Sequence, residues 1–280
     1  MISTRKSSPA TVVLLHAALL VAVIFSLFPI YFTFQASLRP GNQLYSTELR
    51  LWPKDATLDN YSYVLTKLPM LRWMTNSFIV AAATTVLTLL ISVSCAYALS
   101  RFKFRGRGAL MTTMLALQAF PALLALFAYY LILNSIELTN TLIGLILVYS
   151  AGAIVFNVWN LKGYFDTIPI DLEESATIDG CTPTQAFIRV MLPLARPALA
   201  TTALFGFLAG WNEYIIAQTL LFDEKLYTAP VGVFGLQDGY RNPWGWFAAA
   251  SFVVSVPVVV LFLFLQRNLV SGLTQGGVKG

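Results

Sequence analysis

Charge is scarce in this 280-residue chain: 18 Lys and Arg and 13 Asp and Glu amount to 11% of it, against roughly 25% in soluble domains. Hydrophobic residues fill 57%, and the mean hydropathy is +0.70. An aqueous globule of this length has too little interior to hide that much apolar surface, which excludes a soluble fold and implies an integral membrane protein. The net charge of +5 is modest and gathers on no basic face, so nucleic acid is excluded as a partner. The single histidine, His16, lies in the first apolar run, where it reads as a packing or interface residue. No Ser/His/Asp set and no pair of intramembrane carboxylates is present, so neither protease nor proton-relay chemistry is expected. The phosphate loop G-x-x-x-x-G-K-[ST] is absent too, so the chain is not expected to bind or hydrolyse ATP, and no enzyme activity is assigned to it. Cys95 sits in an apolar run and Cys181 in a polar loop, which argues against a disulfide framework and a zinc site. No internal repeat or low-complexity tract divides the sequence.

What remains is a series of long apolar runs at about 12–34, 74–99, 109–133, 141–161, 198–222 and 246–266. Each supplies the ~20 residues that cross a ~30 Å hydrocarbon core as a helix. Helix is the state in which an isolated segment satisfies its backbone in lipid. The expectation is an all-α integral membrane protein with six transmembrane helices, forming one domain over 1–280. The first run is too long for a signal peptide and ends on no small-x-small site, so it reads as a retained span. Pro121 and Pro257 fall inside spans, where each is a candidate kink.

Orientation follows from the basic residues. Arg101, Lys103, Arg105 and Arg107 crowd the short loop after the second run, and a cytoplasmic place for that loop also puts Arg5, Lys6, Lys162, Arg189, Arg196, Arg267 and Lys279 inside. Both termini are then cytoplasmic, as is the loop 171–197. Turn signals at Asp238-Gly239 and Asn242-Pro243 mark the last outer loop, with Tyr240, Trp244 and Trp246 at the outer interface.

The polar stretch Asp171–Pro197 reads as two short helices. Asp171 is the expected N-cap of the first, with Glu174 in capping-box position, and Gly180 ends it. Thr182 caps the second, with Pro183 at its first position and Gln185 completing a second box, and Pro193 is expected to stop it. Ala186, Phe187, Val190 and Met191 share one face, and Gln185 and Arg189 another.

Within this stretch Glu174-Ser175-Ala176, then Gly180, then Val190-x-Leu192-Pro193 resembles the E-A-A…G…I-x-L-P loop of ABC-importer permeases. Ser175 stands for an alanine and Val190 for an isoleucine, both small or volume-similar changes. The resemblance runs along nearly the whole chain and is nearest to the smaller permease subunits of maltose/maltodextrin importers. It implies the ABC-importer permease fold in a bacterial cytoplasmic (inner) membrane. It also implies a second homologous permease, a cytoplasmic ATPase dimer holding ATP and Mg, and an extracytoplasmic sugar-binding protein. No cofactor or metal is implied on this chain. By resemblance Glu173, Glu174, Ala176, Asp179, Gly180, Leu192 and Pro193 belong to the ATPase-coupling loop. The end of the tail 267–280, at Gly276, Gly277, Val278, Lys279 and Gly280, would contact the ATPase interface.

In the fifth run Gly206-x-x-x-Gly210 permits close approach of another helix. Trp211, Asn212, Glu213 and Tyr214 follow as candidates for a sugar path, Asn212 and Glu213 to hydrogen-bond sugar hydroxyls and Trp211 and Tyr214 to stack on a sugar face. A carboxylate at membrane depth is costly, so Glu213 is either a sugar-path residue or a packing and gating one; Gln118 and Asn157 are further path candidates. Maltose or maltodextrin is the expected cargo. The alternatives are another oligosaccharide, glycerol phosphate, or an ion-coupled secondary transporter.

Overall fold

The computed structural model describes residues 8–40, 52–237 and 243–276, with backbone alone for Ala122 and 267–276. In chain order its helices are α1 (Pro9–Ser37), α2 (Asp59–Thr66), α3 (Met70–Arg101), α4 (Arg107–Gln118), α5 (Leu126–Ser135) and α6 (Leu142–Phe165). Then follow α7 (Asp171–Ile178), α8 (Pro183–Leu194), α9 (Arg196–Asn212), α10 (Ile215–Leu220), α11 (Ala229–Phe234) and α12 (Trp244–Gly276). No strand occurs among the described residues. Among the described residues four helices are long and apolar enough to cross a membrane alone, and up to 6 spans result when each bent pair is taken as one.

Two compact units divide the chain: residues 1–69 with 233–254, and 70–232 with 255–280. In the first, α1 starts on Ser8, whose hydroxyl accepts from the Thr11 amide, and the His16 Nδ1–H donates to the Val12 carbonyl at 2.7 Å. Helix α2 is pinned by Asn60, whose amide donates to the Ser37 and Arg39 carbonyls at 2.9 Å each. Tyr63 stacks on Trp246 with ring centroids 3.7 Å apart.

In the second unit α3, α6 and α9 pack into a central trio. Helix α3 contains no Gly or Pro, and two of its hydroxyls bond back onto their own helix: the half-buried Thr85 to the Ala81 carbonyl at 2.6 Å and the buried Thr88 to that of Thr84 at 2.8 Å. These internal bonds let a helix with many hydroxyls stay regular in lipid. One apolar core gathers Ala96, Leu99, Val158, Leu161, Phe165 and Met191, and another gathers Val80, Leu133, Leu145, Tyr149, Ala217 and Leu220.

Two of the expected spans are not continuous helices. The run 109–133 breaks after Gln118, where Pro121 precedes a 3-10 turn at Ala122–Ala125, so Pro121 parts two helices rather than kinking one. The run 198–222 stops at Asn212 and resumes at Ile215, because Glu213 is extended and caps the second piece. Pro257 does lie inside a helix, and that helix continues past Gln266 to Gly276, so the first part of the expected tail is helical. Residues Gly277, Val278, Lys279 and Gly280 lie outside the described residues, as do Arg5, Lys6, Asp238, Gly239, Tyr240 and Asn242.

Candidate functional site: the helix-pair loop and the intramembrane pocket

The loop after α6 is built by local sequence signals, with two corrections. Asp171 is not the N-cap of α7: the turn already begins at Pro169, with Ile170 at the cap and no side-chain cap bond, so Asp171 lies in the first turn. There its charge still suits the helix N-terminus. Pro193 does not stop α8. The helix widens into a π turn over Phe187–Met191, which absorbs the donor the proline lacks, and it ends at Leu194 before a 74° bend into α9. Glu174 accordingly completes no capping box at the start of α7. The Gly180 ending and the second capping box hold. Gly180 has φ +94°, the Cys181 amide donates to the Ala176 carbonyl at 2.9 Å, and the Gly180 amide to that of Thr177 at 3.1 Å. This is a Schellman ending, and since a Cβ on Gly180 would meet nothing within 4 Å, glycine is there for its backbone conformation alone. Thr182 and Gln185 form the reciprocal capping box, with Pro183 at the start of α8.

The two adjacent glutamates of α7 differ in burial, although both border one groove. Glu173 is 8% exposed and turned inward. Its carboxylate accepts from Arg101 Nε at 2.5 Å and from the Tyr97 hydroxyl at 2.7 Å. The same guanidinium donates through Nη2 to the Ile168 carbonyl at 3.0 Å and reaches the Met191 sulfur at 3.6 Å. Arg101 therefore gathers α7, α8 and the segment before them onto the end of α3. Beside it, Ser100 donates to Asp166 Oδ1 at 2.7 Å and Lys162 to Oδ2. Partial burial pushes the Asp166 carboxyl up, but those two bonds and the charges of Lys162 and Arg107 outweigh it and hold the group below the usual carboxylate value. Glu174, by contrast, is exposed, as are Asp179 and Gly180, while Ala176, Leu192 and Pro193 are half-buried. Ile178, one turn on from Glu174, is 85% exposed. A groove of about 410 Å³ runs past Phe102, Ile170, Glu174, Thr177, Ile178 and Pro183.

A second cavity, of about 360 Å³, lies among α3, α6 and α9 and is lined by Thr84, Tyr149, Asn157, Phe205 and Glu213. The Glu213 carboxylate accepts from the Ile216 amide at 2.8 Å, the Ala217 amide at 3.1 Å and the Tyr149 hydroxyl at 2.5 Å. It thus caps α10 and ties the break in the fifth run to α6. Asn157 is 1% exposed, and its amide nitrogen has no protein partner. Trp211 is buried and stacked on Phe207 at 5.5 Å, away from this cavity; Asn212 and Gln118 are exposed and Tyr214 half-buried outside it.

Residues 88–275 match the profile of the family described as the binding-protein-dependent transport system inner membrane component. The chain belongs to that family. It is thus an inner-membrane transport component. The permease is 39% identical to the galactooligosaccharides transport system permease protein GanQ of Bacillus subtilis (95% of this chain, 96% of that protein). It is 37% identical to the maltose/maltodextrin transport system permease protein MalG of Escherichia coli K12 (98% of each). A relative from Streptomyces coelicolor, the diacetylchitobiose uptake system permease protein DasC, is 34% identical over 90% of this chain and 92% of its own. In fold the permease resembles a chain of a bacterial ABC transporter involved in import of the acidic polysaccharide alginate, with TM-score 0.77 and 24% identity over 93% of this chain and 98% of that one.

The sequence places Glu173 beside Glu174 in the ATPase-coupling loop without distinguishing the two; in the structure Glu173 is the buried one. Sequence reading also missed Arg101, Tyr97 and Ile178. Arg101 is hidden among the basic residues Lys103, Arg105 and Arg107, and its partner lies far along the chain. Ile178 carried a usable signal: an isoleucine beside Asp179-Gly180 at the end of a helix rich in acidic and hydroxyl residues is out of place unless something covers it.

Proposed function

We propose that this chain forms half of the translocation pathway of an ATP-driven oligosaccharide importer, as a single membrane domain of six spans with both termini and the helix-pair loop in the cytoplasm. Its partners in this reading are a second homologous permease, a cytoplasmic ATPase dimer that holds ATP and Mg, and an external sugar-binding protein. The observation that carries it is the two-sided α7: Glu173 fastened inward to Arg101, Glu174 and Ile178 presented outward. A helix held rigidly from behind with a charged and an apolar group in front is suited to enter a cleft on another protein. ATP binding closes the ATPase dimer, the helix-pair loop moves with it, and the pathway opens outward. The tail at Gly276 to Gly280 adds a second contact at the ATPase interface.

The relatives named above carry galactooligosaccharides, maltose or maltodextrin, and diacetylchitobiose, which supports an oligosaccharide as cargo. Maltose or maltodextrin is our specific reading, with galactooligosaccharide as its competitor. Asn157 and Glu213 are the pathway residues favoured by position, since both line the intramembrane cavity. The test is ATP turnover in vesicles holding this chain, its partner permease and the ATPase, with binding proteins loaded with each sugar in turn. Stimulation by maltodextrin-loaded protein is the expected result. Stimulation by another sugar alone would keep the importer and discard the maltodextrin assignment; an assembled complex that no sugar stimulates would overturn the reading.

A further inference from the structure

Helix α3 is fastened at both ends, to parts of the chain that lie far apart in the unit. At one end Arg101 holds Glu173 of α7, the Ile168 carbonyl and the Met191 sulfur of α8. At the other, Asn76 is 7% exposed and spends both amide hydrogens on the carbonyls of Lys225 and Tyr227, at 2.9 Å each. One residue on, the Ser77 hydroxyl accepts from the Ala229 amide at 2.8 Å. Between these anchors α3 is unbroken for about 37 Å at 1.5 Å per residue, as its neighbour α6 also is along its length, whereas the apolar runs 109–133 and 198–222 are broken at Pro121 and Glu213.

We propose that α3 is the transmission rod of this permease, carrying displacement of the helix-pair loop to the loop 225–229 and returning engagement of that loop by the same route. This rests on the coupling reading above, but the rod itself is a property of this chain. Both anchors are chemically suited to the task. The guanidinium is a planar, fixed fork that grips three segments at once. The Asn76 bonds go to backbone carbonyls, so they follow the loop whatever its side chains do. A rod also makes a reciprocal demand: loosening either anchor must be felt at the other.

Two measurements test it. In vesicles of the complete complex, Arg101→Gln and Asn76→Ala are each expected to lower the stimulation of ATP turnover by sugar-loaded binding protein at least fivefold. The double variant is expected to be no worse than the more severe single, since either break interrupts one path. Losses that multiply, or a single variant with parental stimulation, would overturn the rod. In the full-length permease alone, in nanodiscs, Arg101→Gln is expected to speed amide exchange at Ala229, and Asn76→Ala to speed it in α7. Effects confined to the mutated end would overturn the rod as well. Where Arg101→Gln fails to fold, Tyr97→Phe removes a single hydroxyl from the same anchor and is expected to give about a twofold loss. If exchange is coupled end to end but no sugar stimulates the parent complex, the rod stands and the ATP-driven importer reading falls.

Discussion

Glu173 and Glu174 are identical in chemistry, yet one step along α7 turns a side chain by about 100°, and that turn decides what each can do. Glu173 and Arg101 bury their side chains to 10% exposure apiece, and the pair is reinforced by the Tyr97 hydroxyl. Removing one partner of a buried pair leaves an uncompensated charge and costs about 3–5 kcal/mol. Glu174 has no such burial, and an exposed substitution stays within about 0.5 kcal/mol. Glu173→Ala is therefore expected to lower the unfolding free energy of the isolated permease by about 3 kcal/mol, and Glu174→Ala to leave it unchanged. Denaturant unfolding in detergent, followed by tryptophan fluorescence, checks this; equal effects at the two positions would contradict the inward–outward division. The converse holds for assembly, where Glu174→Ala is the variant expected to weaken ATPase association without loss of fold.

Between elements, one close approach that shapes the unit is that of α9 to α3. A Cβ on Gly210 would lie 3.1 Å from the Ala81 Cα, a backbone atom that cannot step aside, whereas at Gly206 the nearest atom is 3.7 Å away, an ordinary contact. Gly210→Val is expected to cost about 1–3 kcal/mol through overpacking. Gly206→Ala is expected to be neutral or to gain up to about 1 kcal/mol from the better helix former. Thermal unfolding of the detergent-solubilised variants separates them, and a tolerated Gly210→Val would mean the helices do not meet there. The close approach was legible in the sequence because Gly206-x-x-x-Gly210 is a local spacing, as were the Thr182–Gln185 box and the Gly180 ending. What sequence reading missed has longer-range causes. Asp171 was displaced from the cap by a turn starting two residues earlier at Pro169, and Pro193 was absorbed by a π turn that no composition announces. The break in the third apolar run was signalled by Pro121, though only as a kink, while that in the fifth was hidden because hydropathy reports a residue's solvent, not the path of the chain through it. Nothing local separates Glu173 from Glu174 until Arg101, 72 residues earlier, is placed beside the first.

For the whole molecule, the decisive question is which exposed apolar surface lipid covers and which it does not. Along α1 the side chains of Leu14 and Phe25 are 71% and 81% exposed, but they belong to a helix long and apolar enough to cross the membrane, where exposure to lipid has no hydrophobic cost. Ile178 is 85% exposed on a polar helix outside any span, so the bilayer does not account for it. Burying an isoleucine from water is worth about 1.5–3 kcal/mol, which is about 10- to 150-fold in a dissociation constant. Covered by an ATPase cleft, Ile178 would supply that energy at assembly, next to the charge of Glu174 that orients the contact. Ile178→Asp is therefore expected to weaken association with the ATPase at least tenfold in a titration of purified subunits, with unfolding of the permease alone unchanged within about 0.5 kcal/mol. Ile178→Leu, which keeps the apolar bulk, is expected to associate nearly as tightly as the parent. If Ile178→Asp bound as tightly as Ile178→Leu, the outward face of α7 would not be the docking surface, and the ATPase would have to grip the permease elsewhere.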